Sequence, residues 1–184
     1  MAAHARPPTT LHLATDTATE FTESMSTLAS GVVLVTSRVA GRPWGMTVTA
    51  FASVSADPPT VLVSLGADTV GAGAIGASGV FGVSVLARAQ VCVAEYAAAP
   101  GAPKFLDELV ESRELDSPSP AIADALAHLD CDVVDAVDAG DHVVFFGRVR
   151  RARRGFGRDP LLYHDRDYSA LGPTTERNLR CLAS

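Results

Sequence analysis

The first regular pattern of hydrophobic positions along the chain is helical. Phe21, Met25 and Leu28 recur at the spacing of one helix face, and Gly31 closes the pattern. An Asp-Thr pair at 16–17, typical of a helix start, precedes them. The pattern therefore predicts a short amphipathic helix.

Extended patterns follow the helix. Apolar runs that are β-branched or alternating, bounded by Gly, Pro and Asp turns, recur through most of the remaining chain. The predicted strands are 32–39, 44–54, 60–65, 80–86, 127–137, 142–153 and a last strand with its loop in 159–171, with helices at 89–98 and 121–127. Six or seven strands joined mostly by hairpins favour a mainly β fold, an antiparallel β-barrel with inserted helices, over a doubly wound sheet.

A chain of 184 residues with 47% hydrophobic content suits one domain with a well-packed core. Residues 1–17 mix Ala, Thr, Pro and His without a period, which predicts a mobile N-terminal arm. The barrel domain is then expected to span 18–172, followed by a C-terminal tail at 173–184.

Charge and cysteine content exclude several classes of function. Fifteen basic against 21 acidic residues give a net charge of -6, so neither nucleic acid nor an anionic membrane is an expected partner. The sequence contains no uninterrupted apolar run of about 18 residues, so it predicts no membrane span. The three cysteines are far apart in sequence and lack metal-ligand spacing. We therefore expect no metal site and a reducing, cytoplasmic location.

One motif, at 71–76, matches the dinucleotide fingerprint GxGxxG. That fingerprint requires its first glycine at the end of a strand and a full helix afterwards. Here Gly71 lies well after the predicted strand that ends at Leu65, and the next strand begins soon after, at Val80. We do not expect this segment to bind a pyrophosphate in the Rossmann manner.

The segment 45–59 is rich in small and hydroxyl side chains beside Gly45. Such a row lets backbone N–H groups approach a flat or anionic ligand closely. A plain Thr- and Ser-rich barrel strand has the same composition, so composition leaves both interpretations open.

This run resembles the signature of the flavin reductase-like, FMN-binding split-barrel family. The resemblance continues, in the same order, through 77–86, 140–142, 147–149 and 160–163, and it covers about 21–171. It implies an antiparallel split barrel that is the small reductase component of a two-component monooxygenase. Such an NADH:flavin oxidoreductase passes a hydride from NADH to FAD or FMN and supplies a partner flavin-dependent monooxygenase. A homodimer is also implied, because the family's pocket lies at or near a subunit interface.

The resemblance also implies which residues bind the flavin. Thr47, Val48 and Thr49 would line the ring and ribityl chain, with Ser64, Leu65 and Thr69 towards the phosphate. Ser78 and Phe81 would close the phosphate side, Lys104 and Phe105 would lie beside the tail, and Tyr168 would pack near the pocket. The full implied set is Gly45, Met46, Thr47, Val48, Thr49, Ser64, Leu65, Thr69, Ser78, Phe81, Ser84, Lys104, Phe105 and Tyr168. At Ser84 the family usually has Asn, which puts any contact of that amide with flavin in doubt here.

His142 is the implied catalytic residue, placed over the flavin near the nicotinamide. By itself, a lone histidine after a Gly-Asp turn is ordinarily a surface or turn residue satisfied by the backbone, and only the resemblance favours the catalytic role. The basic run 148–154 is typical of a solvated strand edge, with a phosphate-binding role as the alternative. Hydride transfer needs two stacked rings and no general base, so one histidine among Gly, Thr and Ser is chemically sufficient.

Two other functions fit the same fold. One is a flavoprotein with tightly bound flavin that acts directly on an organic substrate. The other is a non-catalytic flavin-binding module. Hydrolase and kinase functions lack their motifs in this sequence.

Overall fold

The structure is a computed structural model that describes residues 10–114, 116–157 and 159–172. Its strands are β1 (Ser30–Gly31), β2 (Val33–Val39), β3 (Arg42–Val48), β4 (Phe51–Ala56), β5 (Pro59–Gly66), β6 (Val80–Val85), β7 (Ala127–Ala139), β8 (His142–Arg154), β9 (Leu161–His164) and β10 (Asp167–Ala170). Its α-helices are α1 (Thr10–Ser26), α2 (Val70–Ser78) and α3 (Val91–Ala98).

Seven strands form one antiparallel sheet in the order β3-β2-β6-β7-β8-β5-β4. Only Thr49 and Ala50 separate β3 from β4 in the chain, yet these strands occupy opposite edges of the sheet. The sheet therefore curls until its edges approach, but it does not close into a full barrel. The predicted antiparallel, mainly β split barrel with inserted helices is confirmed.

Two hydrophobic clusters hold the fold together. The first fills the inside of the barrel, where α2 adds Ala72 and Ile75 to side chains such as Val63 and Phe81. The second lies outside the barrel, between β2, α3 and the small sheet β1-β9-β10, and includes Leu34. Alternation along each strand supplies both clusters, because successive side chains point to opposite faces of the sheet.

The structure differs from the predicted elements at four places. Helix α2 (Val70–Ser78) was not predicted, because the segment between the strands ending at Leu65 and beginning at Val80 was expected to be too short for a full helix. The single predicted strand 44–54 is divided at 49–50. The predicted helix 121–127 is absent: Asp124 has a positive φ of 58°, and Val110 pairs with Ile122 in an isolated bridge. Tertiary pairing overrides the helix propensity of this Ala-rich stretch. Finally, α1 extends over 10–17, which was predicted as part of a mobile arm, whereas 1–9 and the tail 173–184 lie outside the described residues.

A buried hydrogen-bonded network ties the connection between α3 and β7 to the outer face of the sheet. Ile122 N donates to Ser84 Oγ (3.1 Å), so the hydroxyl hydrogen is left to donate to His128 Nδ1 (2.8 Å). His128 Nε2–H then donates to Ser119 O (3.0 Å) and approaches Asp130 Oδ1 (3.2 Å). These contacts suit a neutral imidazole that is protonated at Nε2.

Burial lowers the pKa of His128, with an opposing effect from the Asp130 carboxylate. In the unfolded chain its pKa is about 6.5. Below that pH the unfolded state binds a proton that the folded state does not, so the free energy of unfolding should fall as pH drops from about 7 through 6 towards the folded pKa. Urea unfolding from pH 5 to 8 measures this slope. His128→Gln should flatten it, and the exposed His164→Gln should not.

Among the described residues, no helix is both long and apolar enough to cross a membrane. Cys92 is exposed and Cys131 is buried, and both are free thiols. Burial raises the pKa of Cys131 to about 12, so this thiol stays protonated at neutral pH.

Candidate active site

The gap between β3 and β4 brings together parts of the chain that are far apart in sequence. Ser64 N on β5 donates to Ala50 O in the β3–β4 connection (3.0 Å). Ala67 N, just after β5, donates to Asp141 O in the turn before β8 (2.9 Å). In the sheet itself, Gly66 pairs with His142. We call this region, made of 49–50, 64–69 and 141–142, the seam.

The start of α2 lies at the seam and is suited to an anion. Thr69 is its N-cap: Thr69 Oγ1 accepts from Ala72 N (3.2 Å) and donates to Gly66 O (2.7 Å). No acidic residue occupies the first turn. The N-terminal N–H groups and the helix dipole favour negative charge, so a flavin phosphate fits here. The structure brings Thr69 and Ser64 to the same seam, and their flavin-binding roles stay predictions.

The glycines of the GxGxxG motif lie inside α2 and not in a strand-to-helix turn. A Cβ on Gly71 would come within 2.5 Å of Met46 Sδ. The glycine thus lets the Met46 side chain lie directly against the helix. A helix is thus present here, contrary to the expectation, but the first glycine lies within it and not at the end of β5. That the segment binds no pyrophosphate in the Rossmann manner stays a prediction.

His142 begins β8 at the seam, with a side chain that is 46% exposed. Its Nδ1 lies 2.7 Å from Asp141 Oδ1, and this hydrogen bond lowers the pKa of Asp141. In the neutral ring, Nδ1–H donates to the carboxylate, which leaves Nε2 able to hydrogen-bond a ligand such as a carboxamide. Asp141 and Gly66 were missed by the sequence reasoning, although Asp141 stands next to His142 in the predicted turn.

The row 45–49 does not present all its side chains to one ligand. Gly45 and Thr47 face outwards, where Thr47 Oγ1 donates to Ala94 O of α3 (2.6 Å). Met46 and Val48 face inwards, and Val48 belongs to the barrel core. The prediction that Thr47, Val48 and Thr49 line the ring and ribityl chain stays a prediction, which Val48 could meet only through its backbone.

Lys104 and Phe105 lie along the free edge of β3. Gly45 N donates to Lys104 O (3.1 Å), and burial lowers the pKa of Lys104. The rings of Phe105 and Trp44 pack edge-to-face, with their centroids 5.0 Å apart. The guanidinium carbon of Arg42 lies 3.9 Å from the centroid of the Phe105 ring. A cavity of about 530 Å³ opens beside it, lined by Arg42, Cys92, Val93, Tyr96, Phe105, Asp107, Glu108 and Leu109.

Tyr168 lies on the small sheet, where its ring packs edge-to-face against Tyr163 with the two centroids 5.4 Å apart. Burial raises its pKa, and the charge of Glu95 on α3 adds to this effect. Since the same helix accepts the hydrogen bond of Thr47, α3 connects the surroundings of Tyr168 to β3. Tyr168 is not part of the seam.

The side chains of four other predicted residues do not face the seam: Leu65 lies within its backbone but points into the core, and Phe81, Ser84 and Ser78 lie elsewhere. Leu65 and Phe81 are core residues, and Ser84 belongs to the buried histidine network. Ser78 is exposed at the other end of α2, where its Oγ accepts from Val80 N (3.4 Å). Their side chains maintain the fold or the helix end, and the flavin contacts expected of them stay predictions.

Comparison with known proteins agrees with this geometry. A family model described as a flavin reductase like domain matches residues 25–172. The reductase component of 4-nitrophenol 4-monooxygenase/4-nitrocatechol 2-monooxygenase from Rhodococcus opacus is 38% identical over 145 residues, which cover 79% of this chain and 76% of that protein. The NADH-dependent FAD reductase from Streptomyces globisporus is 34% identical over 151 residues, covering 80% of this chain and 82% of that protein.

Solved structures give the same result. The NADH:FAD oxidoreductase SgcE6 from Streptomyces globisporus C-1027, in complex with NAD and FAD fragments, has a TM-score of 0.76 and 31% identity, covering 86% of this chain and 94% of that one. BorF, the flavin reductase component of a bacterial two-component tryptophan halogenase, has a TM-score of 0.75 and 34% identity, covering 85% and 99%. The matched region contains every strand and helix of the seam, and the chain therefore belongs to the flavin reductase-like family.

Proposed function

We propose that this chain is an NADH-dependent flavin reductase that supplies reduced FAD or FMN to a partner monooxygenase. NADH, oxidised flavin and a proton give NAD⁺ and reduced flavin. The observation that carries the proposal is the seam, where His142 pairs with Gly66 only three residues before the N-cap of α2. One end of this site suits a phosphate, and the other offers an imidazole to a nicotinamide.

The bound flavin and NADH supply the redox chemistry, so the chain needs only to hold two rings roughly 3–3.5 Å apart. The first turn of α2, capped by Thr69, would hold the phosphate. Backbone N–H groups near Thr49 could stabilise negative charge that develops on the ring, without reorganisation. Nε2 of His142 would orient the nicotinamide carboxamide, while Asp141 holds the other ring nitrogen.

The proposal includes a homodimer and a cytoplasmic location. Side chains alternate along β5 and β8, so Leu62, Val144 and Phe146 face outwards, on the same face as Ser64. Val137 pairs with Val144 and is 46% exposed. We call Leu62, Val137, Val144 and Phe146 the outer band. This apolar surface adjoins the seam and supports a subunit contact there; the free thiols support a reducing compartment.

The spectrum of the purified protein tests the proposal. Weak colour together with rapid NADH oxidation on adding FAD or FMN is the expected result. Tight, stoichiometric yellow colour with slow free-flavin turnover would instead favour an enzyme that acts on an organic substrate. Flavin binding without NADH oxidation would indicate a non-catalytic module.

His142→Ala should lower kcat/KM for NADH by about tenfold or more, because a positioning contact is lost. The flavin Kd should stay within a few-fold of the wild-type value. His164→Ala, which removes an exposed histidine on β9, is the matched control and should leave both values unchanged. If flavin binding collapses in a folded His142→Ala variant, the residue contacts flavin and not the nicotinamide.

NADH should be strongly preferred to NADPH. Arg148 begins the basic run six residues after His142, roughly 20 Å away along an extended strand. Within that run, Arg150 pairs with Asp132 (3.2 Å) and Arg153 with Glu114 (2.6 Å). Two arginines of the run are therefore held by carboxylates, and the whole run lies along β8 away from His142. Steady-state kinetics with both nucleotides measure the preference, and equal catalytic efficiency would contradict it.

A further inference from the structure

The cavity beside Phe105 has no part in the proposed hydride transfer. It has a volume of about 530 Å³ and lies between α3 and the segment that pairs with the edge of β3. A volume of this size is typical of a small-molecule site. Its lining includes an aromatic ring, two aliphatic side chains and a carboxylate, from Tyr96, Val93, Leu109 and Glu108. These groups suit a flat ring with an amino substituent, such as adenine, because the carboxylate can accept from the amino group.

Two planar groups of the cavity wall are held in place. The Tyr96 ring is 42% exposed, and its hydroxyl donates to Phe105 O (2.9 Å). The Arg42 guanidinium donates to Asp107 Oδ2 (2.7 Å) and also stacks on the Phe105 ring. Aromatic rings and guanidinium planes are the surfaces on which nucleobases stack. Because both planes are fixed before a ligand binds, less ordering entropy opposes the stacking of a base.

The cavity lies a short distance from the start of α2, where a flavin phosphate fits. The first turn of α2 touches β3 at Met46, since a Cβ on Gly71 would come within 2.5 Å of Met46 Sδ. Phe105 pairs with Trp44, two residues before Met46 on β3. One strand spacing and two residue steps give roughly 8 Å between the backbones of Met46 and Phe105. The second phosphate and the ribose of FAD can span this distance, and FMN has neither group.

Lys104 places a positive charge along this path. Its carbonyl accepts from Gly45 N (3.1 Å), which fixes its backbone beside β3, and Phe105 follows it in the chain. Burial lowers the pKa of Lys104, and no charged neighbour opposes that shift. A partly desolvated cation is stabilised by a nearby anion. A second phosphate between α2 and the cavity would supply this anion.

We propose that this cavity holds the adenosine end of FAD, and that the chain therefore binds FAD in preference to FMN. FMN ends at the phosphate that α2 would hold, so it does not reach the cavity. NADH carries the same adenosine group, but its nicotinamide is expected at His142 on β8, whereas the cavity lies beyond β3. The preference rests on the proposed function, because it assumes that flavin lies at the seam.

The thiol of Cys92 reports directly on occupation of the cavity, because it is exposed and belongs to the lining. Iodoacetamide labelling of the full-length protein is followed by mass spectrometry of the peptide that contains Cys92. Saturating FAD should slow the labelling by about tenfold, the effect of covering the thiol in about nine-tenths of the molecules. FMN and NAD⁺ should leave the rate unchanged. Equal protection by FMN, protection by NAD⁺, or no protection by FAD would overturn the proposal.

Cys92→Trp fills the cavity from an exposed position of α3. Titration of flavin fluorescence, without NADH, should show that the wild type binds FAD about tenfold more tightly than FMN, and that the variant loses this difference through a higher Kd for FAD alone. Ala98→Trp, at an exposed position of α3 outside the lining, is the matched control and should keep the preference.

Equal Kd values for the two flavins in the wild type, or equal weakening of both in Cys92→Trp, would overturn the proposal. NADH oxidation by the wild type with either flavin is assayed separately and tests the reductase activity. A failure of that assay would therefore count against the proposed function, whereas the flavin preference is decided by binding alone.

Discussion

Phe81→Ala should lower the free energy of unfolding by about 3–5 kcal/mol, the usual cost of removing a fully buried ring. Phe81 has no exposed surface and packs inside the barrel with Val63 and Cys131. Gly147 makes room for it, since a Cβ there would collide with the ring. The residue that the family resemblance placed at the flavin phosphate is thus a main support of the core.

Urea unfolding at constant pH measures this loss. Phe81→Leu keeps most of the apolar volume and should cost clearly less than the alanine variant. The flavin Kd of the folded fraction, measured at low temperature, should remain within a few-fold of the wild-type value. Wild-type stability with loss of flavin binding would show that the ring contacts the ligand after all.

Gly82→Ala should destabilise the protein by about 3 kcal/mol or more, because overpacking and lost buried hydrogen bonds add together. A Cβ at Gly82 would collide with the Thr36 hydroxyl and come within 2.7 Å of His128 Cε1 and 3.1 Å of Ser119 O. It would therefore displace the imidazole that joins Ser84 to the connection before β7.

Gly73→Ala is the matched control for this substitution. No heavy atom lies within 4 Å of a Cβ added there, and the position is inside α2. Alanine should stabilise the helix by roughly 0.5–1 kcal/mol. Thermal unfolding of the two variants should thus shift in opposite directions; equal shifts would mean that the buried network is not tightly packed.

Most of the fold could be predicted from the sequence, because alternation and turn residues are local signals. The turn 138–141 alone predicted the long β7–β8 hairpin. The division at 49–50 carries no Gly or Pro, so nothing local shows that β3 and β4 diverge to opposite edges. The failed helix at 121–127 has the same origin, since its backbone pairs with residues far away in sequence.

The site was predicted only in part. Ser64, Thr69 and His142 meet at the seam, and none of their side chains belongs to the barrel core. Val48, at the end of β3, and Phe81, near the start of β6, point into that core, because alternate residues of a strand face opposite sides of the sheet. A contiguous family motif thus contains positions that face a ligand and positions that face the core. Strand periodicity distinguishes the two only when the register of the strand is known.

The pairing beside β3 also affects how the protein resists aggregation. An edge strand exposes unpaired main-chain groups to which another chain can add. Along β3, the N–H of Gly45 donates a hydrogen bond to Lys104 O, and the N–H of Leu106 donates to Pro43 O. Pro43 itself has no N–H to offer. This part of the edge is therefore closed to strand addition. Within the seven-stranded sheet, the opposite edge, β4, is then the more open to strand addition.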